Sequence, residues 1–170
     1  MKVLVAYFTQ SGNTEKIAKA LFDGIESDDK EISLVKEVDF TKINDYDLVF
    51  LGSPIIANGF AGLYKKIIKG LPELTTRIVL FCTHAAPKNY PQFWEVGFKK
   101  FGKKLEKKGG NILGYFDSQG EQAPQVKELI KKADPEYAAI ARKASDGHPN
   151  EEDIAAAKKF ASEIIKKVTV

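Results

Sequence analysis

Apolar residues recur along this chain with two alternating periods. Lys2 to Phe8 is a short, nearly continuous apolar run with β-branched and aromatic members, the pattern of a strand buried on both faces. Asp47 to Gly52 and Arg77 to Thr83 repeat it. Ile32 to Val38 is a less apolar version suited to a sheet edge, and Asn111 to Ser118 is a fifth strand. Between these runs the spacing changes to that of helices. Ile17, Leu21 and Ile25 share one face, with Ala18 and Phe22 beside them. Leu63, Ile67 and Leu71 form a shorter stripe that Pro72 stops. Trp94, Phe98, Phe101 and Leu105 form a third stripe, closed by Gly109-Gly110 behind a cluster of lysines. Ile154, Ala157, Ala161, Ile164, Ile165 and Val168 make the last one, with Asn150 as its cap and Glu151, Glu152 and Asp153 in its first turn.

Strands alternating with helices specify a parallel sheet with helices on both faces, here a three-layer α/β sandwich in one domain over residues 1–170. With right-handed crossovers, the expected order of the five strands is 2-1-3-4-5. Its switch point lies between the first and third strands, where the loops at their C-terminal ends part and open a crevice. Three separated stretches then meet at one rim: Thr9–Thr14, the loop Ser53–Phe60, and the loop beginning at His84. Residues 120–149 are extra to this plan. They read as a mostly helical segment: a helix with Val126, Leu129 and Ile130, a break at Asp134-Pro135, a second helix over Pro135–Ser145, and a turn at Asp146–Pro149. The sequence leaves open whether this segment covers a site, binds a partner or only extends the core.

The turn Thr9-Gln10-Ser11-Gly12-Asn13-Thr14 joins the first strand to the first helix. The N–H groups that open a helix lack intrahelical partners and lie at the positive end of its dipole. Thr9, Ser11 and Thr14 add hydroxyl donors, and Gly12 lets the backbone approach an anion closely. No Lys or Arg lies in the turn, so a phosphate there is held by neutral donors. The alternative is an ordinary strand–turn–helix with Asn13 or Ser11 as N-cap. The chain has neither the Gly-x-Gly-x-x-Gly dinucleotide fingerprint nor a Gly-x-x-x-x-Gly-Lys-Ser/Thr loop.

A net charge of +3 is too small to suggest nucleic acid. A single cysteine, Cys82, fits a reducing, cytoplasmic setting, as does a start that enters a strand with no leader pattern. Cys82 reads as a buried, inert thiol. No apolar run is long enough for a membrane span. Neither His84 nor His148 has a second histidine or cysteine near it at metal-ligand spacing, so no metal is expected.

The turn resembles the FMN-phosphate loop of flavodoxins, Thr/Ser-x-Thr/Ser-Gly-x-Thr, and fills every position of it. The resemblance implies a flavodoxin-like fold and FMN as cofactor, with Thr9, Gln10, Ser11, Gly12, Asn13 and Thr14 around the phosphate. It implies that Pro54, Ile55, Ile56, Ala57, Asn58 and Gly59 border the isoalloxazine ring. Backbone groups at Thr83, His84 and Ala85 would meet the ring's pyrimidine edge, and Tyr90 would stack on it. His84 itself reads either as a donor to substrate or as a solvated loop residue. Trp94 lies on a helical core stripe, and Phe60 fits ring contact or helix packing equally. Ile55-Ile56 stands where many flavodoxins place a Trp. The Ala57-Asn58 or Asn58-Gly59 peptide is the candidate to turn its carbonyl toward the flavin N5–H on reduction. Long-chain flavodoxins also carry an extra segment, but theirs interrupts the last strand whereas this one follows it.

The implied function is electron transfer by an FMN carrier that cycles through a semiquinone and docks on redox partner proteins, acidic ones being favoured by the basic balance. The alternative is an FMN-dependent oxidoreductase of a quinone, porphyrinogen or similar small molecule. A receiver-type signalling domain fits poorly, because the strand ending in Gly52-Ser53 offers no Asp to accept a phosphoryl group.

Overall fold

The computed structural model describes residues 1–169. In chain order the elements are β1 (Val3–Tyr7), α1 (Asn13–Gly24), β2 (Lys30–Leu34), β3 (Leu48–Ile56), β4 (Gly59–Phe60), α2 (Leu63–Gly70), β5 (Arg77–His84), α3 (Glu95–Glu106), β6 (Asn111–Gln119), α4 (Pro124–Ala133), α5 (Pro135–Ser145) and α6 (Glu151–Thr169). The sheet order is β2-β1-β3-β5-β6, every one of these neighbours parallel, with β4 pairing antiparallel on β3. With the two-residue β4 set aside, this is the expected 2-1-3-4-5 order.

The continuous apolar runs follow from burial of both faces. Leu4, Ala6, Val49 and Leu51 point to one side, where Tyr64 of α2 and Phe98, Phe101 and Leu105 of α3 cover them. Val3, Val5, Leu48 and Phe50 point to the other, under Ile17 and Leu21 of α1 and Ala157, Ala161 and Ile164 of α6. Asn150 caps α6 as expected: its Oδ1 accepts from the N–H groups of Glu152 and Asp153, and Asp153 Oδ2 accepts from the Asn150 N–H at 2.8 Å. That reciprocal pairing is a capping box.

Two boundaries differ from the sequence expectation. The second strand begins at Lys30 and stops at Leu34, and Val35–Glu37 coil into a 3₁₀ turn that buries Val35. Ser53–Phe60 is not a loop. β3 continues through Ser53 and Pro54 beside Cys82 and Thr83 of β5, then folds back as β4. The turn residues Ala57 and Asn58 both have positive φ, 48° and 61°. A two-residue connection of that kind matches the twist of its strands. The left-handed pair is therefore Ala57-Asn58, with Gly59 already in β4.

Tyr64 is fully buried, and its hydroxyl donates to the Gly52 carbonyl at 2.6 Å, close to the end of β1. The same carbonyl accepts from the Phe8 N–H at 2.9 Å. Tyr64→Phe therefore leaves the carbonyl partnered and lowers unfolding free energy by only about 1 kcal/mol. Tyr64→Ala removes the whole ring and costs about 3–5 kcal/mol. Urea denaturation of the three proteins checks both values.

Candidate functional site

A cavity of about 360 Å³ opens at the C-terminal edge of the sheet, at the switch point between β1 and β3. Its floor and first wall come from Gln10, Ser11 and Asn13 at the start of α1, and from Pro54, Ile55, Ile56, Ala57 and Asn58 of the hairpin. Thr83, His84 and Ala85 at the end of β5 complete this side. Eleven of the sixteen site residues expected from the sequence thus share one cavity. Thr9, Gly12, Thr14, Gly59 and Tyr90 are off its wall.

The turn after β1 is built as an open helix start. Gly12 has φ +89°, no side chain caps α1, and an added Cβ at Gly12 would meet nothing within 4 Å. Neither Ser11 nor Asn13 is the N-cap. The Gly12 N–H donates to Thr9 Oγ1 at 2.9 Å, which closes the turn locally. The Thr14 hydroxyl is turned inward, 2.8 Å from that of Thr83, and both residues are buried. Only Ser11 of the three hydroxyl residues lines the cavity. Glu15 in the first turn is paired with Lys19 at 2.7 Å.

The other wall comes from residues the sequence expectation did not assign. Gly120, Glu121, Gln122, Ala123, Val126, Ile130 and Tyr137 line it, together with Phe93. The extra segment therefore closes over the crevice. Its root is fastened: the Glu121 N–H donates to the His148 carbonyl at 2.9 Å, and Asn13 Nδ2 donates to the Glu121 carbonyl at 2.7 Å. Tyr137 packs edge-on against Phe93, with centroids 5.0 Å apart, and Tyr90 stacks on Phe93 and abuts Tyr137. Tyr90 thus backs the two aromatics that reach the cavity. One signal was available in the sequence: Tyr137, Ala141 and Ser145 recur every four residues, and the last two are fully buried.

Phe60 packs between Phe98, Phe101 and Tyr64, away from the cavity. Trp94 is buried as expected, but it lies flat on His84. His84 is not a solvated loop residue. It ends β5, paired with Gln119, with its Nδ1 2.8 Å from the Ala86 carbonyl and its Nε2 3.3 Å from Asp117 Oδ2. Burial pushes the Cys82 thiol well up, and the nearby Asp117 charge adds to this, so it stays protonated and unreactive. His148, in the turn before α6, bonds Asp153 in the first turn of that helix at 2.6 Å. Among the described residues no group of three acidic, histidine or cysteine side chains is placed to hold a metal ion, and no helix is long and apolar enough to cross a membrane.

Fold and crevice together define a doubly wound α/β protein with its binding site at the switch point. The chain belongs to the flavodoxin family: the flavodoxin-domain family profile matches residues 4–162. It is 31% identical to an uncharacterised protein of Methanocaldococcus jannaschii over 98% of this chain and 99% of that one. It is 30% identical to the flavodoxin-like domain-containing protein BilS of Clostridioides difficile over 100% and 99%. A flavodoxin from the domain Archaea has the same fold, with TM-score 0.68 at 16% identity over the whole of both chains. A flavoprotein of Lactobacillus acidophilus in complex with FMN superposes with TM-score 0.51 at 22% identity, over 68% of this chain and 92% of that one.

Burial pushes the Asp117 carboxyl up, but the hydrogen bond from His84 and the charges of His84 and Lys88 outweigh it and hold the carboxyl below its ordinary value. A carboxyl lowered on folding adds stability that is complete above its unfolded pKa and disappears as pH falls through the folded one. Wild type is therefore more stable than Asp117→Asn at pH 7, and the gap narrows as pH drops below about 4. Urea denaturation at a series of pH values from about 2 to about 7 measures the gap.

Proposed function

We propose that the crevice binds FMN and that the protein transfers electrons one at a time between redox partners. The observation that carries this reading is the uncapped start of α1, with its left-handed and unobstructed Gly12, opening beside a partly apolar cavity. The residues present fit the cofactor. The free N–H groups at the start of α1, with Gln10, Ser11 and Asn13, suit a phosphate held by dipoles rather than by cations. The aliphatic Ile55 and Ile56 and the aromatic Phe93 and Tyr137 all line the cavity, and such apolar surface suits a flat ring. FMN supplies the electron-storing ring, and the chain positions it, excludes water and sets the surrounding charge.

The hairpin adds a constraint on any peptide that turns toward the ring. A Cβ on Gly97 of α3 would fall 1.7 Å from the Asn58 carbonyl oxygen, so that carbonyl packs directly on the α3 backbone. The Asn58-Gly59 peptide is held there, which leaves Ala57-Asn58 as the one with room to reorient. Exposed lysines on the α2 and α3 layer, Lys65, Lys66, Lys69, Lys99, Lys103 and Lys104, support docking by partners with acidic surfaces.

A second reading, an FMN-dependent oxidoreductase of a small molecule, has one specific support. The α4–α5 hairpin gives the cavity an apolar wall of Val126, Ile130 and Tyr137, a surface that shelters a small substrate as well as a cofactor.

Addition of FMN to the purified protein should quench flavin fluorescence at one equivalent. Ser11→Asp sets a carboxylate beside the phosphate and should weaken FMN by about 100-fold, while riboflavin, which has no phosphate, loses much less. Equal losses for both ligands would place the phosphate elsewhere. Dithionite titration separates the readings: two resolved one-electron stages support the carrier, and a single two-electron stage supports the oxidoreductase.

A further inference from the structure

His84 lies between two hydrogen-bond acceptors. The Ala86 carbonyl, 2.8 Å from Nδ1, has no proton to give, so Nδ1 carries one and donates it. That carbonyl also accepts from Gln119 Nε2 at 2.8 Å, which fixes its direction. On the other side Nε2 is 3.3 Å from Asp117 Oδ2, and the Lys88 ammonium is 3.9 Å from the same oxygen. A neutral ring protonated at Nδ1 would turn the Nε2 lone pair toward an ionised carboxylate. A ring protonated at both nitrogens donates to both acceptors.

The surroundings of the ring agree with a cation. His84 lies face to face with Trp94, centroids 4.3 Å apart and planes 4° from parallel, an arrangement that favours positive charge over an indole. The His84 side chain is 1% exposed, and Asp117 is 27% exposed. An unpaired charge in such a place is expelled, but here a carboxylate, a backbone carbonyl and an aromatic face all match it. The titratable groups around the pair are Lys88 beside Asp117, Cys82 two residues back on β5, and Glu121 on the cavity wall, which is tied to Lys127.

We propose that His84 is a standing imidazolium in the cavity wall, kept in that state by Asp117 and Ala86, and that it makes the crevice prefer the more negatively charged redox form of its ring ligand. The second half rests on the FMN reading. Uptake of two electrons and one proton leaves the flavin ring with one more negative charge, which the His84 cation favours over the oxidised form. Asp117 is a positioning residue in this scheme, because it is off the cavity wall and acts through His84.

The first arm of the test uses ligand-free protein. Nitrogen-15 NMR of the histidine ring at neutral pH should show protons on both His84 nitrogens in wild type. In Asp117→Asn the amide can donate to Nε2, so one ring proton is lost. The second arm measures affinity for oxidised and for dithionite-reduced FMN in wild type, His84→Asn and Asp117→Asn. Both variants should lose about tenfold of the preference for reduced FMN, equivalent to about 30 mV in a two-electron couple. A singly protonated His84 ring in wild type overturns the proposal. So does an unchanged preference in variants that still bind oxidised FMN. Failure of wild type to bind FMN overturns the FMN reading and the ligand half of the proposal, while the ring spectrum still decides the imidazolium.

Discussion

Everything at the site depends on one topological constraint. All five long strands end on the same edge of the sheet, and right-handed crossovers carry the chain from β1 and from β3 to opposite faces. From β1 it passes into α1, which packs with α6. From β3 it passes into α2, which lies on the side of α3. Where the two connections part, the sheet edge is left open. The α1 start, the hairpin after β3 and the end of β5 border this opening without any special device to bring them together. Sequence-distant residues such as Ser11, Asn58 and His84 meet because the core of Val5, Phe50 and Phe81 fixes the strands beneath them.

What was legible in the sequence follows from which interactions are local. The sheet could be read because its strands are buried on both faces, and the helices because their apolar stripes must face it. The turn Thr9–Thr14 could be read because its chemistry lies within six consecutive residues. The hairpin was misread because Ser53 and Pro54 look like loop formers. In the fold Pro54 sits at the end of a ladder, and Ser53 is buried with its Oγ accepting the Ala61 N–H at 3.0 Å. His84 was misread for the complementary reason. Its polar partners are the Ala86 carbonyl and a carboxylate 33 positions away on β6, and nothing in the run Phe81–His84 announces that a charged partner will lie beside it. Tyr137 and Phe93 meet only after the α4–α5 hairpin folds back over the sheet edge.

That hairpin is weakly held by burial. α4 buries no residue fully, and α5 buries only Ala141 and Ser145. Its position comes mainly from its root, from the Tyr137 contact with the Tyr90–Phe93 pair, and from Lys127, which reaches both Glu121 and Asp146. The root bond from Asn13 joins two parts of the cavity lining, because Asn13 is also the first residue of α1. The open helix start and the added wall are thereby tied by one side chain. A segment fastened in this way lines the crevice while the sheet keeps the packing it would have without it.

The charges of the site divide along the same lines as the elements that carry them. The turn at α1 has no cation, so any anion there depends on backbone dipoles and the Ser11 hydroxyl, which stay constant with pH. Beside His84 on β5 lie the charges of Asp117 on β6 and Lys88, while Glu121 on the cavity wall is paired with Lys127. On the proposed function, the first region sets whether the cofactor stays bound and the second sets which redox form is preferred. Such a division lets potential change without loss of the cofactor, since replacing Asp117 or His84 leaves the α1 start untouched. It also accounts for a His–Asp contact beside central strands β1, β3 and β5 that are otherwise largely apolar. A buried pair is at best neutral for stability against well-packed hydrophobic residues. The place of His84 on the crevice wall therefore argues for a role in the crevice rather than in the core.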